Sequence, residues 1–373
     1  MMPEPRKPFP AIEKLIISAS NQNASDLHLK LGYKPIFRVG GRLIHVDTMA
    51  LSETGVDSIL KGLLSEKQQA TFSENGNLDS SFELNTPEGR RVRCRVNVGK
   101  DHNGDNHNSP YASIRIIPNE IMKVEDIGFP YDIWKDVVNL RRGLVLVTGV
   151  TGSGKTTTLA SLVQRINETR QDHILTIEDP IEYVYEPKKS IISQREVGIN
   201  VRSFGDGVKY ALRQDPDIIL IGEIRDAETA EKALEAAATG HLVFSTLHTK
   251  SAADTVRRYV NMFPPEDHNN IRNSLATTLE YVLTQQLIPY DKGEKKRVMA
   301  MEVMNVGESS AIKNHLREEK YHQITSVMQT GRAHKMVTMD ARLKELHKNG
   351  RISREDAITY AHDLEAMRKS FEE

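Results

Sequence analysis

Cysteine is almost absent from this chain of 373 residues, which contains only Cys94. A single cysteine excludes an internal disulfide and a four-cysteine zinc site, so we expect no zinc. Long apolar runs are missing too, since no window approaches the roughly 18 consecutive apolar residues of a membrane-spanning helix. The proline-rich start, "MMPEPRKPFP", is not followed by an apolar run of signal-peptide length. These absences predict a cytoplasmic protein.

An excess of positive charge is also missing. Lysine and arginine number 50 against 51 aspartates and glutamates, which gives a formal net charge of -1. A protein that grips the phosphate backbone of nucleic acid usually carries a basic excess. We therefore expect no nucleic acid partner, and a DNA motor of the recombinase kind is a disfavoured interpretation. The hydrophobic fraction of 38% predicts a globular chain of two or three domains.

The distribution of apolar residues predicts an α/β protein. Up to residue 118 short helices and strands are mixed, with one helix expected from Leu51 to Phe72. From residue 143 onward, short apolar runs such as "LVLV" and "DIILI" alternate with helical patterns, as in a parallel sheet with crossing helices. After Ser251 the spacing of apolar residues from Leu275 to Leu283 predicts helix. The expected parts are a disordered arm at 1–10, an N-terminal domain at 11–118, a linker at 119–142 and a C-terminal domain at 143–373.

Strict alternation marks two strands of the N-terminal domain, "RRVRCRVNV" and "YASIRII". Val92, Cys94 and Val96 share one face of the first strand, which predicts a buried and inert Cys94 thiol. The polar stretch 99–110 predicts a long loop between the two strands of a hairpin. The opposite, exposed face of this hairpin would gather Arg91, Arg93, Arg95 and Arg115.

The segment "GVTGSGKTTTLA" follows an apolar strand and opens a helical pattern. It fits the pattern G-x-x-x-x-G-K-[ST], in which backbone N–H groups at a helix N-terminus hold phosphate oxygens. Lys155 would reach the β- and γ-phosphates, and the Thr156 hydroxyl would bind Mg²⁺. ATP and Mg²⁺ are therefore the predicted ligands. The predicted binding residues are Gly149, Thr151, Gly152, Ser153, Gly154, Lys155, Thr156 and Thr157.

Three further polar residues follow predicted strands of the same sheet: Glu178, Glu223 and His248. Ligands of open parallel sheets bind at the carboxyl ends of the strands. We assign Glu223 to polarising the attacking water, with a contact to Mg²⁺ through water, because it stands beside the position of the usual metal-binding aspartate. Glu178 is a second candidate for orienting that water, and the sequence does not rank the two. His248 is interpreted as a sensor of the γ-phosphate.

The arginine-bearing face of the N-terminal domain has two interpretations. Exposed arginines on a strand usually face only solvent. Phosphoryl transfer, however, gains about 10³- to 10⁵-fold in rate from a guanidinium supplied from outside the nucleotide's own domain. We therefore predict that arginines approach the nucleotide in trans or across the domain gap. The candidates are Arg93, Arg95 and Arg115, with Arg195, Arg213 and Arg225 of the second domain as rivals.

Together, the segments "GVTGSGKTTTLA", "HILTIEDPIEYV", "ALRQDPDIILIGEIRDAETA" and "TGHLVFSTLHT" resemble the Walker A, Asp box, Walker B and His box of the type II/IV secretion ATPases. The early "ASDLHLKLG" and the late "QTGRAHKMVTMDARLKEL" resemble the PilT-like twitching motility branch. The resemblance implies a PAS-like N-terminal α+β domain, a RecA-like ATPase domain and a homohexamer that acts on a pilus platform protein at the inner membrane. It also implies nucleotide contacts by N-terminal arginines, whose positions Arg93, Arg95 and Arg115 match.

The resemblance favours pilus retraction over pilus assembly. Members that assemble pili or drive type II secretion usually have extra N-terminal sequence, and many have a four-cysteine zinc motif; this sequence has neither. It departs from the retraction branch at 311–316, "AIKNHL", where Lys313 and His315 replace an arginine and a leucine, and Val150 replaces a usual proline. The alternatives are an assembly or type II secretion motor, and an accessory PilU-like ring that binds nucleotide but depends on another motor for force.

Overall fold

The computed structural model describes residues 10–40, 42–87, 89, 91–103, 106–117, 120–289 and 297–372. It is a mixed α/β fold with two sheets. The chain divides into two compact units, one up to Glu120 and one from Ile121 onward. The disordered arm expected at 1–10 lies outside the described residues up to Phe9, and the first helix begins at Pro10.

The first unit contains a six-stranded antiparallel sheet in the order β3-β2-β1-β6-β5-β4. Its apolar face packs with helical residues such as Ile16 and Leu60 in one core. Cys94 lies in this core, and burial raises the pKa of its thiol to about 12, which confirms the prediction of a buried thiol. The elements are α1 (Pro10–Asn21), β1 (Ala24–Lys30), β2 (Ile36–Val39), β3 (Arg42–His45), α2 (Glu53–Leu63), α3 (Glu66–Asn75), β4 (Asn77–Asn85), β5 (Arg91–Asn103) and β6 (Asn106–Ile117).

The prediction of one helix from Leu51 to Phe72 is wrong, because the chain forms two helices there. Ser65 lies between them and starts a capping box: its hydroxyl accepts the Gln68 N–H, and the Gln68 side chain accepts the Ser65 N–H. A serine followed three residues later by glutamine is a helix start signal. The new start at Ser65 explains the interruption.

The prediction of a long polar loop at 99–110 is also wrong. Strands β5 and β6 continue through this stretch, with Asp101 paired to Ser109 and Asn103 paired to Asn106. The polar side chains do not interrupt the strands, because strand pairing uses backbone hydrogen bonds that such side chains permit. Asp101 also forms an ion pair of 2.6 Å with Lys30 on β1. His102 is exposed on β5.

The second unit contains a seven-stranded sheet in the order β13-β12-β7-β11-β10-β8-β9, parallel except for the β12–β13 pair. Apolar clusters pack on its two faces, one around Leu146 and Ile221 and one around Val147 and Phe244. The strands are β7 (Gly143–Thr148), β8 (His173–Glu178), β9 (Ile191–Glu196), β10 (Ile218–Ile221), β11 (Leu242–Leu247), β12 (Leu279–Pro289) and β13 (Arg297–Asn305). The helices are α4 (Trp134–Asn139), α5 (Lys155–Thr169), α6 (Phe204–Ala211), α7 (Ala227–Ala238), α8 (Ala252–Val260), α9 (His268–Thr278), α10 (Ser310–Arg317), α11 (Tyr321–Thr330), α12 (Met339–Lys348), α13 (Arg354–Thr359) and α14 (Leu364–Lys369).

The prediction of helix up to Leu283 is wrong, because β12 begins at Leu279 and pairs with both β7 and β13. Residues on both faces of this strand are buried, including Val282 and Leu283. A continuous apolar run of this kind fits the helical period as well as the strand period. Pairing with β7, far away in sequence, decides between them.

Residues 121–142, within the segment assigned to a linker, contribute to the core of the second unit. They include α4, and Ile133 and Val137 are fully buried in the cluster around Val147. Across the part of the chain that the structure describes, no helix is both long and apolar enough to cross a bilayer.

Candidate nucleotide-binding site

Four adjacent parallel strands end at one edge of the second sheet, in the order β7, β11, β10 and β8. The ladder places Thr148 beside Leu247, and Ile221 beside both Ser245 and Ile177. The segments that leave these strand ends begin with Gly149, His248 and Gly222, and Glu178 ends β8 itself. The structure therefore brings the phosphate-binding loop, Glu178, Glu223 and His248 to the same edge.

The loop after β7 contains three glycines with a positive φ, at 149, 152 and 154. Gly149 has a φ of 143°, and a Cβ atom there would clash with the Gln285 carbonyl oxygen and the Ser153 hydroxyl. Gly152 has a φ of 79°, and no neighbouring atom lies within 4 Å of its Cβ position. Glycine is therefore needed at 149 because a side chain would clash there, and at 152 because other residues rarely adopt its φ. The open space around Gly152 leaves the backbone accessible at that position.

Helix α5 starts at this loop with its N-terminal N–H groups uncapped by any side chain, since its N-cap is Gly154. Its first turn carries no acidic residue. The positive helix end and the free N–H groups favour an anion. Lys155 adds a cation: its Nζ donates to the carbonyl oxygens of Gly149 at 2.9 Å and Val150 at 3.2 Å. Burial lowers the pKa of Lys155, and the charges of Glu223 and Glu182 oppose this shift.

Gln285 on β12 lies against the phosphate-binding loop, and no motif in the sequence singles it out. This side chain is fully buried, and its Nε2 donates to the Ser153 carbonyl oxygen at 2.7 Å. Its Oε1 and the Ser153 hydroxyl are buried with no hydrogen-bond partner among the described residues. A glutamine inside an apolar strand is the signal that could have revealed this role, but the helical spacing up to Leu283 hides the start of that strand.

Substitution of Gln285 by methionine is expected to weaken nucleotide binding by about three- to tenfold, since one hydrogen bond contributes about 0.5–1.5 kcal/mol. Methionine has a similar volume but cannot donate to Ser153, so the loop loses its support while the core stays packed. Titration with a fluorescent nucleotide measures the change. Gln286→Met is the matched control, because Gln286 donates to the Tyr360 carbonyl oxygen instead. Equal affinity of the two variants would show that Gln285 does not support the loop.

Glu223 lies two residues beyond the end of β10, and the side chains of Arg225 and His248 contact its carboxylate. Arg225 lies 2.5 Å from its Oε1, and His248 Nε2 lies 3.5 Å from its Oε2. The backbone before it is fixed, since the Gly222 N–H donates to Ile177 at 2.8 Å and the Gly222 carbonyl accepts from Thr246 at 2.7 Å. These contacts hold an oriented carboxylate near Lys155.

Glu178 is buried, and its Oε1 accepts hydrogen bonds from Thr176 at 2.7 Å and Gln194 at 3.3 Å. Burial raises the pKa of its carboxyl to about 7, although these hydrogen bonds and one from the Glu182 backbone oppose the shift. A carboxyl with a pKa near the working pH is suited to accept a proton. Its Cα lies against Gly222, so the two candidate carboxylates leave neighbouring backbones.

The threonines of the loop and helix have different surroundings. Thr157 lies 3.1 Å from the Tyr183 hydroxyl, which ties α5 to the segment after β8. Thr156 is half-buried at the second position of α5, and Thr151 is exposed. Tyr183 was not predicted as a site residue, although it lies in the quoted segment "HILTIEDPIEYV".

Each candidate arginine of the first unit faces a carboxylate of the same sheet. Arg93 lies 4.0 Å from Glu83, Arg95 lies 3.8 Å from Asp79, and Arg115 lies 3.0 Å from the buried Asp26. Solvent is therefore not their only neighbour. Among the rivals of the second unit, Arg195 donates to Gln214, Arg225 contacts Glu223, and Arg213 is exposed.

Comparison with known proteins identifies relatives along nearly the whole chain. The family model described as type II/IV secretion system protein matches residues 7–371. The chain is 43% identical to the type IV pilus retraction ATPase PilT of Pseudomonas aeruginosa, over 93% of this chain and 96% of the relative. It is 41% identical to a twitching motility protein of Neisseria gonorrhoeae, over 89% of this chain and 86% of the relative. Among solved structures, that of the pilus retraction motor PilT with bound ADP superposes with a TM-score of 0.85 at 40% identity, covering 96% of this chain and 99% of that one.

Proposed function

Since the chain belongs to the type II/IV secretion system protein family, we propose that it is an ATP hydrolase that powers the retraction of type IV pili. The observation that carries this proposal is the 43% identity, over 93% of the chain, to a retraction ATPase. The uncapped end of α5 and the buried Lys155 support nucleotide binding on physical grounds alone.

Catalysis at this site depends on position and charge, without a covalent nucleophile. When nucleotide binds, the Lys155 ammonium exchanges its two loop carbonyls for phosphate oxygens, and the N–H groups of the loop and α5 hold the remaining charge. Glu223 polarises the attacking water, and Arg225 and His248 keep its carboxylate in one orientation. Glu178 is the second carboxylate at the water and can accept a proton near pH 7. His248 responds to the γ-phosphate through its contact with Glu223.

Oxygen donors at the start of α5 fit a magnesium ion. The Thr156 hydroxyl, with Glu223 acting through water, would hold Mg²⁺, which neutralises charge on the phosphates during transfer. Arg93, Arg95 and Arg115 are assigned to the triphosphate in the assembled motor. Their partner carboxylates in the first unit must give way to the larger negative charge of ATP.

The working assembly is a homohexamer that passes motion to a pilus platform protein at the cytoplasmic face of the inner membrane. In this assignment residues 11–118 form a PAS-like domain and 143–373 a RecA-like ATPase domain, and the segment 119–142 between them contributes its residues from Ile121 onward to the second unit. Phosphate release and particle mass, measured on the purified chain with and without ATP, test enzyme and assembly together. A chain that binds ATP but releases no phosphate alone would instead be an accessory PilU-like ring.

Gene deletion tests the cellular role, because loss of a retraction motor leaves excess pili and loss of an assembly motor leaves none.

Turnover is expected to rise with pH around neutrality. Glu178 must be ionised to accept a proton, and burial raises the pKa of its carboxyl to about 7. Below that pH the protonated form dominates, so kcat should fall by about tenfold per pH unit. A pH–rate profile from about pH 5.5 to about pH 8.5 measures this limb. The Glu178→Gln variant should keep a low and flat profile; a wild-type profile without a limb near neutrality contradicts the assignment.

A further inference from the structure

Glu302 is a buried carboxylate outside the nucleotide site. It lies on β13, is 3% exposed, and its two oxygens accept backbone N–H groups from two different helices. Oε1 accepts from Ala252 at 2.7 Å, and Oε2 accepts from Met339 at 3.1 Å. Ala252 and Met339 are the first residues of α8 and α12. One side chain therefore holds the N-termini of two helices that are distant in sequence.

These contacts complete the capping of both helices. The N-cap side chains Ser251 and Thr338 accept the N–H groups of Asp254 and Ala341. Glu302 accepts the earlier N–H of each helix, which would otherwise be buried without a partner. A carboxylate is suited to this place because both helix ends are positive. Burial raises the pKa of the Glu302 carboxyl, and these two N–H groups favour its charged form.

Helix α8 connects Glu302 with the nucleotide site. It begins four residues after His248, and the intervening Thr249 lies 2.6 Å from Thr255 on α8. Thr255 in turn reaches the Thr148 hydroxyl at 3.4 Å, at the end of β7. All three threonines are buried. The loop that carries His248 is therefore attached to the strand that precedes the phosphate-binding loop.

The buried threonines are also connected to Glu302 through a residue of β12. Thr148 lies 2.8 Å from Thr284, and Thr284 is the residue opposite Glu302 in the β12–β13 ladder. Thr284 is fully buried. The end of β7, the start of α8 and Glu302 thus belong to one buried network, in which displacement of one member is resisted by the others.

Helix α12 connects Glu302 with the C-terminal helices. Beside Glu302, Val303 and Val337 exchange two backbone hydrogen bonds of 2.8 and 3.1 Å. Asp340 on α12 accepts the N–H groups of the two residues that precede α14, at 2.7 and 3.1 Å. One of them, His362, lies 3.8 Å from Glu302 Oε2. Helices α12, α13 and α14 also share a separate apolar cluster with β12 and β13. The C-terminal helices are therefore fixed to Glu302 as a group.

We propose that Glu302 is a positioning residue for ATP hydrolysis, which couples the C-terminal helices α12 to α14 to the loop that carries His248. A displacement of these helices moves the start of α8, and with it His248 relative to Glu223. The inference rests on the ATPase function proposed above. It goes further in assigning the C-terminal helices a control over the hydrolysis step, exerted through one carboxylate.

The test compares Glu302→Ala and Glu302→Gln with the wild-type full chain, and uses Glu365→Gln as a control on the exposed face of α14. Three quantities are measured: kcat, affinity for a non-hydrolysable ATP analogue, and amide hydrogen exchange at the starts of α8 and α12. In Glu302→Ala, kcat should fall by about 10- to 100-fold, because small misplacements of positioned groups cost this much. Analogue affinity should stay within about twofold, and exchange should accelerate at both helices.

The conservative variant adds a readout that a general loss of stability does not give. Glutamine offers one acceptor oxygen, so Glu302→Gln should accelerate exchange at one helix start only, with a smaller loss of kcat. A Glu302→Ala variant with wild-type kcat overturns the proposal, and so does an equal loss of kcat, analogue affinity and melting temperature. If the wild-type chain hydrolyses no ATP, the proposed function fails; the exchange pattern then still decides the anchoring, because unchanged exchange at both helices would refute it.

Discussion

Replacement of Lys155 by alanine is expected to lower ATP turnover by about 10²- to 10³-fold, the usual cost of removing a single donor to developing charge. Lys155 is buried at the start of α5, where its ammonium contacts only the carbonyl oxygens of Gly149 and Val150 in the described structure. Without it, the uncapped helix end still attracts an anion, but no full positive charge reaches the β- and γ-phosphates. Binding should weaken and hydrolysis should be nearly abolished.

The variant should remain folded, because burial lowers the pKa of the Lys155 ammonium and so makes its charge a cost to the folded state. An unchanged or slightly higher melting temperature would separate the chemical effect from unfolding. Lys188→Ala serves as the control, since the Lys188 side chain is half-exposed and its Nζ lies 3.4 Å from the exposed Glu186 carboxylate. Phosphate release by the purified proteins gives the comparison. Near-normal turnover in Lys155→Ala would remove the basis of the ATPase assignment.

The sequence predicts those parts of the site that short segments encode. The glycines and Lys155 lie within one loop, and Glu178 and His248 each follow an apolar run whose end marks a strand end. A parallel sheet brings such ends together whatever the strand order, so their common edge could be expected before the order was known. The same reasoning does not rank Glu178 against Glu223, because burial and hydrogen-bond partners are not visible in a single strand.

The residues that support the site lie where they do because distant segments pair. The sequence alone does not show this pairing. Gln285 and Glu302 lie on β12 and β13, and the approach to β12 fits helix and strand equally well. Only the parallel pairing of β12 with β7 places Gln285 under the phosphate-binding loop. Both are buried polar side chains in apolar strands, which is costly unless a partner is present. A buried polar residue in an apolar strand therefore indicates that a hydrogen-bond partner exists, but the sequence does not identify that partner.

The arginine face of the first unit shows the same limit. Alternation correctly separates Arg93 and Arg95 from the buried Cys94 face. It gives no indication of the carboxylates opposite them, because the partner of Arg115 is Asp26, on a strand from the start of the unit. Ion pairs at exposed sites contribute only about 0–1 kcal/mol, so Asp79, the exposed partner of Arg95, is a weak competitor of a triphosphate.

Substitution of Glu178 by glutamine is expected to lower kcat by about 10²- to 10⁴-fold, the usual contribution of a general base. The same substitution should make the protein more stable at alkaline pH. Burial raises the pKa of the folded carboxyl from its ordinary value of 4.5 to about 7, so the folded state prefers the protonated form. The charge is therefore a cost to folding that grows as pH rises from 4.5 to about 7 and is constant above that.

Glutamine resembles the protonated carboxyl, and its amide oxygen can accept the hydrogen bonds of Thr176 and Gln194 that Glu178 Oε1 accepts now. At about pH 8 the variant should gain up to about 3 kcal/mol in free energy of unfolding, from a pKa shift of this size. At about pH 4 the gain should vanish, because the wild-type carboxyl is then protonated in both states. Thermal unfolding at the two pH values measures both, with the exposed Glu186→Gln as control. An inactive variant with a lower free energy of unfolding than wild type at both pH values would show that Glu178 stabilises the fold. It would contradict the expectation that the buried charge of Glu178 destabilises the folded state.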